Sequence, residues 1–266
     1  MRRSACQGIL VLFMSCLLVT TSTAEPSATR SPDLGDSFQR DYLTTAARPL
    51  FPQLWDDLSY IVNEPDFYYI IGGVALGPTL ADEGFDHEEP RFTNLWGRSR
   101  FADNLFELGE KIGDGAFPVA VAASSYGVGR LAGSSRMTEF GSDLFRVQAV
   151  NGLLTAVLKG TINRTRPDGT AYSYPSGHTS SSFATAGVIY SHFGKTWGYL
   201  AFGLAGYVGL SRLQEGKHYV SDVIAGAVLG TYVSSKLSRR PDRTGRLSVS
   251  PMATGDGMGI SLRYSF

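Results

Sequence analysis

Two stretches decide the reading of this chain: KGTINRTRPDGTAYSYPSGHTSSS at 159–182 and SRLQEGKHYVSD at 211–222. Of four histidines in 266 residues, His178 and His218 fall inside them. Lys159, Arg166 and Arg212 add three cations, Ser176 a hydroxyl, Gly177 a turn, and Asp222 a carboxylate four residues past His218. That set can hold an oxyanion, attack its central atom and protonate the group that leaves.

The i,i+4 spacing of His218 and Asp222 predicts one shared helix face. A carboxylate there accepts the proton of one imidazole nitrogen and leaves the other free as a nucleophile. Alone, the pair reads more readily as an ordinary helix-surface contact, since His-x-x-x-Asp is a common spacing. Tyr174-Pro-Ser-Gly-His reads as a turn entering a helix, with Ser and Thr able to cap it. A helix N-terminus attracts phosphate, and Gly177 lets the backbone approach it closely. Ser176 offers a donor, and His178 sits where a general acid could reach a leaving oxygen. Lys159, Arg166 and Arg212 supply fixed positive charge of the kind phosphoryl transfer relies on. Pro167 disfavours helix at Arg166 and predicts a loop there. Arg164, alternating with Arg166, is read as support.

In order, Lys-x6-Arg-Pro, Pro-Ser-Gly-His and Ser-Arg-x5-His-x3-Asp resemble the three-part motif of the type 2 phosphatidic acid phosphatase and vanadium haloperoxidase superfamily. The resemblance covers roughly residues 140–236, and Ser-Tyr-Pro-Ser-Gly-His-Thr is also similar to class A bacterial acid phosphatases. It implies that Lys159, Arg166, Arg212, Ser176 and the Gly177 amide bind phosphate. It further implies that His218 attacks phosphorus, oriented by Asp222, and that His178 protonates the leaving group and then activates water. No metal or other cofactor enters that scheme. A vanadate-dependent haloperoxidase would use the same residues, and a phosphate-binding protein without turnover would need only the cations.

Helical periods predict an all-α bundle with the pocket at one end, the helices falling near 101–112, 116–131, 142–159, 179–193, 196–212 and 218–237. A further helix is expected within 43–62, with Leu50, Phe51, Leu54, Trp55, Leu58 and Ile61 on its apolar face. Arg2 and Arg3 before the apolar run Ile9 to Val19 read as a signal peptide, residues 1–24, cleaved after Ala24. Both cysteines, Cys6 and Cys16, lie inside it, so no disulfide is expected in the mature chain. The expected organisation is then a helical phosphatase domain at 25–245 and a β-hairpin tail at 246–266, where Ile260, Leu262, Tyr264 and Phe266 alternate with polar residues.

Of 24 Lys and Arg, Arg2 and Arg3 leave with the leader, so 22 face 24 Asp and Glu. A near-neutral body carries no footprint for nucleic acid. His87 in the acidic loop 81–90 reads as a solvated residue, and His192 as structural. The expected partner is a phosphate ester, in particular a lipid phosphate, with the oligomeric state open. The apolar runs are short or interrupted, mean hydropathy is −0.04, and 142–159 carries Asp143, Arg146, Gln148 and Asn151. These favour a periplasmic, soluble or peripheral protein over a polytopic membrane one.

Overall fold

The computed structural model describes residues 50–81, 86, 100–238, 248–254 and 257–263. The described residues form eight helices: α1 Leu50–Val62, α2 Phe67–Ala81, α3 Arg100–Gly113, α4 Ala116–Ala132, α5 Ser135–Ile162, α6 Gly177–Phe193, α7 Lys195–Gln214 and α8 Val220–Leu237. The leader, residues 25–49 and the acidic loop apart from Asp86 lie outside the described residues, as does His87. The tail contributes two antiparallel strands, β1 Ser248–Thr254 and β2 Gly257–Arg263, paired from Ser248 with Arg263 to Thr254 with Gly257. Tyr264 and Phe266 lie outside the described residues.

Helix α6 packs against α5, α7 and α8, which makes it the central element of the body. Phe140, Leu144, Val147, Val188, Leu229 and Val233 fill the core between α5, α6 and α8. Small residues set how close the helices come. A Cβ on Gly226 would lie 2.6 Å from Ser176 O, and one on Gly230 would overlap Ser180 O and lie 2.8 Å from Ala184 N. The α6 and α8 backbones therefore approach one another directly, and the contact runs to the N-terminal ends of both.

Helix α5 starts at Ser135, earlier than the expected 142, because Gly141 is not a break. A Cβ there would lie 2.6 Å from Ala122 O, so Gly141 is where α4 and α5 cross closely. The polar residues of α5 point inward. Arg146 binds Asp57 of α1 at 2.5 and 2.7 Å and Asp143 at 3.3 Å, while Asp143 lies 2.9 Å from His192 Nε2. His192 thus has a partner that its own helix did not reveal. Gln148 and Asn151 bond Ser181 and Ser180 of α6. Trp55, expected on the packed face of α1, is exposed.

Among the described residues no helix is long and apolar enough to cross a membrane. Large apolar side chains are nevertheless exposed along the bundle, including Trp197, Leu200, Leu204 and Leu210 on α7 and Leu153 and Val157 on α5.

The α6–α8 contact gives a direct test. Gly230→Ala should destabilise the protein by about 1–3 kcal/mol through overpacking. Gly152→Ala, where a Cβ meets nothing within 4 Å, should be neutral or stabilising by a few tenths to about 1 kcal/mol. Denaturant unfolding of the two variants compares them.

Candidate active site

The first motif straddles the end of α5. Lys159 lies in its last turn, and Asn163 stops the helix in the left-handed region, φ 45°, its amide bonding Lys159 O at 2.9 Å. Arg166 then opens a turn, its amide bonding Thr170 O at 2.7 Å, as Pro167 predicts. Lys159 Nζ donates to Tyr172 O at 2.6 Å. A Cβ on Gly177 would lie 3.8 Å from Lys159 Cε, so the first and second motifs face each other.

Ser176 is the N-cap of α6, and no side chain caps that helix. Its first amides have no partner within the helix itself. Ser176 Oγ accepts from Thr179 Oγ1 at 3.0 Å, which leaves its own proton for another acceptor. The Ser176 amide donates to Asp222 O at 3.0 Å, joining the second motif to the third. Tyr174, buried in the same turn, donates its hydroxyl to Val74 O of α2.

The third motif departs from expectation. His218 does not lie on α8, which begins at Val220 with Tyr219 as N-cap. Asp222 is instead the third residue of the helix, and its carboxylate reaches back to accept the Tyr219 amide at 2.9 Å and to meet His218 Nδ1 at 3.2 Å. Helix capping and imidazole orientation are thus served by one side chain. Ser173 Oγ also donates to Asp222 Oδ2 and lies 3.5 Å from His218 Nδ1. Arg164 Nη1 holds the other carboxylate oxygen at 3.2 Å.

Arg212 is 3% exposed, and its Nη1 is 2.8 Å from Glu215 Oε2 and 3.7 Å from Glu110 Oε1. Neither contact is aligned as a hydrogen bond, and Arg212 Nε and Arg166 Nε are buried without a hydrogen-bond partner. Buried guanidinium donors of this kind call for an acceptor, and an oxyanion supplies one.

Electrostatics show the ionisable members of the cradle acting on one another. Burial first, then Arg212, His218 and Arg166, lowers His178 to about 4. Burial lowers His218 below the usual imidazole range against the pull of Asp222, with Lys159 and Arg166 adding to the fall. Burial would raise Asp222, but hydrogen bonds from His218, Ser173 and the Tyr219 amide outweigh it and hold the carboxyl below its usual range. Lys159 falls to about 8 through burial and the nearby Arg166. The geometry therefore gathers all eight sequence-predicted residues around one cradle: a neutral imidazole backed by a carboxylate, a second imidazole, three cations and an uncapped helix end. Among the described residues no group of three or more His, Cys, Asp or Glu could hold a metal ion.

Sequence reading missed Ser173 and also Asp86, which accepts from Arg164 Nη2 at 2.9 Å, and it treated Arg164 only as support. Nothing in the sequence marks Ser173 beyond its place two residues before Pro175, and Asp86 is one of several acids in its loop.

Residues 142–243 match the PAP2 superfamily. The match is confined to this segment, which is less than half of the chain. Over 135 residues the chain is 36% identical to a lipid A 1-phosphatase of Porphyromonas gingivalis, which covers 46% of this chain and 30% of that protein. A lipid A 1-phosphatase of Rhizobium etli is 30% identical over 113 residues, 35% of this chain and 47% of that one. The chain thus spans less than half the length of these curated relatives. A solved structure of a transmembrane PAP2 type phosphatidylglycerolphosphate phosphatase from Bacillus subtilis is 24% identical, with a TM-score of 0.49 over 64% of this chain and 91% of that one. The matched segment contains Lys159 through Asp222, so all eight residues of the cradle lie within it, while Asp86 lies outside it.

The cradle predicts oxyanion binding with a defined pH dependence. Sulfate, a dianion throughout the range, should bind progressively more weakly as pH rises through about 8, where Lys159 loses its charge. Lys159→Arg should keep binding above that pH, since guanidinium stays protonated. Calorimetric titration of both proteins at several pH values checks the assignment.

Proposed function

We propose that this chain is an exported phosphatase that hydrolyses phosphomonoesters or diphosphates of lipids through a phosphohistidine, without a metal. The observation that carries the proposal is His218, buried and neutral, with Nδ1 turned to Asp222 and cations on the cradle side. In the proposed reaction the Nε2 lone pair of His218 forms a bond to phosphorus as the ester P–O bond breaks. The electron pair goes to the departing oxygen, which takes a proton from His178. His178 then accepts a proton from water, whose oxygen attacks phosphorus. The N–P bond breaks, phosphate leaves and His218 returns to its starting state. Lys159, Arg166, Arg212, the Ser176 hydroxyl and the Gly177 amide stabilise the charge on the equatorial oxygens.

His178 sits at about 4 in the free protein, too low for an acid at neutral pH. Burial is the first cause of that depression, and a bound phosphate opposes the second, the Arg212 and Arg166 charges, so in the proposed reaction substrate raises His178 toward its working range. The acid is formed where it is needed.

The lipid part of the proposal is supported by the lipid phosphatases among the relatives and by the exposed apolar residues on α5 and α7. Phosphatidic acid, an isoprenoid diphosphate and a lipid A phosphate all present the required group. The leader-like residues 1–24 support a periplasmic location, with the apolar surface against a membrane.

Purified protein assayed on soluble and lipid phosphates, with and without detergent, tests the reading. His218→Ala should abolish turnover and the trapped phosphoenzyme. Asp222→Asn should lower kcat on the order of 10²–10⁴-fold with the fold intact. Wild-type activity should persist in EDTA. Activity retained by His218→Ala, or lost in EDTA and restored by a divalent cation, would remove this mechanism.

A further inference from the structure

The PAP2 cradle accounts for every member of the three motifs but leaves Arg164 without a function. Its guanidinium is partly buried and fully engaged. Nη2 donates to Asp86 Oδ2 at 2.9 Å, and Nη1 donates to Ser221 Oγ at 2.8 Å and to Asp222 Oδ1 at 3.2 Å. The plane lies over the Tyr219 ring, 3.9 Å from its centroid. Asp86 in turn accepts the Ser221 amide at 3.2 Å and the Ser221 hydroxyl at 2.7 Å. Asp86, which precedes α3 in the chain, is thereby fastened to the first turn of α8.

The two oxygens of Asp222 divide their work. Oδ2 takes His218, Ser173 and the Tyr219 amide, and Oδ1 takes Arg164. Asp222 is fully buried, so a free Oδ1 would carry the cost of an unpaired charge. With both oxygens held, the carboxylate cannot rotate, and the imidazole facing Oδ2 keeps one orientation. A lysine could not reproduce this, because one nitrogen cannot span Asp86 and Asp222 in a planar fork.

We propose that Arg164, anchored by Asp86 and laid on Tyr219, is a positioning residue that locks the Asp222 carboxylate and through it the tautomer and orientation of His218; the role rests on the phosphatase reading above. Arg164 touches no reacting atom. It acts on kcat through His218, as an outer partner acts on a ligating or nucleophilic imidazole.

Charge gives the test its sign. The charged or titratable groups around Asp222 are Arg164, Lys159 from α5, Tyr174 from the turn before α6, Asp86, and His218 ahead of α8. Removing the positive Arg164 makes both the Asp222 carboxylate and neutral His218 easier to protonate. Removing the negative Asp86 does the opposite.

Arg164→Gln should therefore lower kcat on the order of 10²-fold, leave the inhibition constant of inorganic phosphate within about 3-fold, and move the acidic limb of kcat/KM to higher pH. Arg164→Lys keeps the charge but not the fork, so kcat should fall with the limb in place. Asp86→Asn should move the limb to lower pH. Histidine nitrogen NMR reads the same effect without turnover: His218 should carry its proton on Nδ1 in the wild type and lose that preference in Arg164→Gln. Thermal melts establish which variants are folded; should Arg164→Gln fail to fold, the Lys and Asn variants decide. Wild-type kcat, limb and tautomer in Arg164→Gln would overturn the proposal, as would a loss confined to phosphate affinity. An inactive wild type that still shows the tautomer change would overturn the phosphatase reading and keep the positioning role.

Discussion

The Asp222 carboxylate is the constraint on which the site depends. It is wholly buried and held below its usual pKa range, so it is charged at neutral pH and must be satisfied by donors. Those donors come from three separate places: Arg164 after α5, Ser173 before α6, and Tyr219 with His218 before α8. An unpartnered charge at this depth costs several kcal/mol, so a packing that separated the three segments would be penalised at one atom pair. The same bonds that make the fold tolerable assemble the chemistry.

Close helix packing makes that convergence available. Gly226 and Gly230 let α8 meet the α6 backbone, and Gly141 lets α5 meet α4. The N-termini of α6 and α8 are thereby set side by side. One presents uncapped amides to the cradle, and the other is capped by the carboxylate that orients His218. Cations then fill the remaining wall. Burial, and after it the repulsion of neighbouring cations, lowers Lys159 and His178, leaving a site that gains stability from an anion.

A second polar group, Asp57, Arg146, Asp143 and His192, ties α1, α5 and α6 together away from the cradle. It explains why a helix with charged residues in its middle is still a core helix: the charges pair inward. On the outer side of the same helix, Leu153 and Val157 are exposed. Helix α5 is therefore partly inverted relative to an ordinary surface helix, and its sequence taken as a run of polar and apolar residues did not reveal which side was which.

The sequence by itself determined the residue types and their order: the helical periods, the turn at Pro167, and the eight residues that line the cradle. These are legible because they depend on local geometry and on chemistry that short motifs spell out. Tertiary structure alone decided that His218 lies ahead of its helix rather than on it, that Gly141 is a crossing point and not a break, and that Ser173, Arg164 and Asp86 belong to the site. Each of those depends on what a distant segment places opposite the residue. A glycine looks the same in a turn and in a close helix contact, and a carboxylate carries no mark of the partner that will bury it.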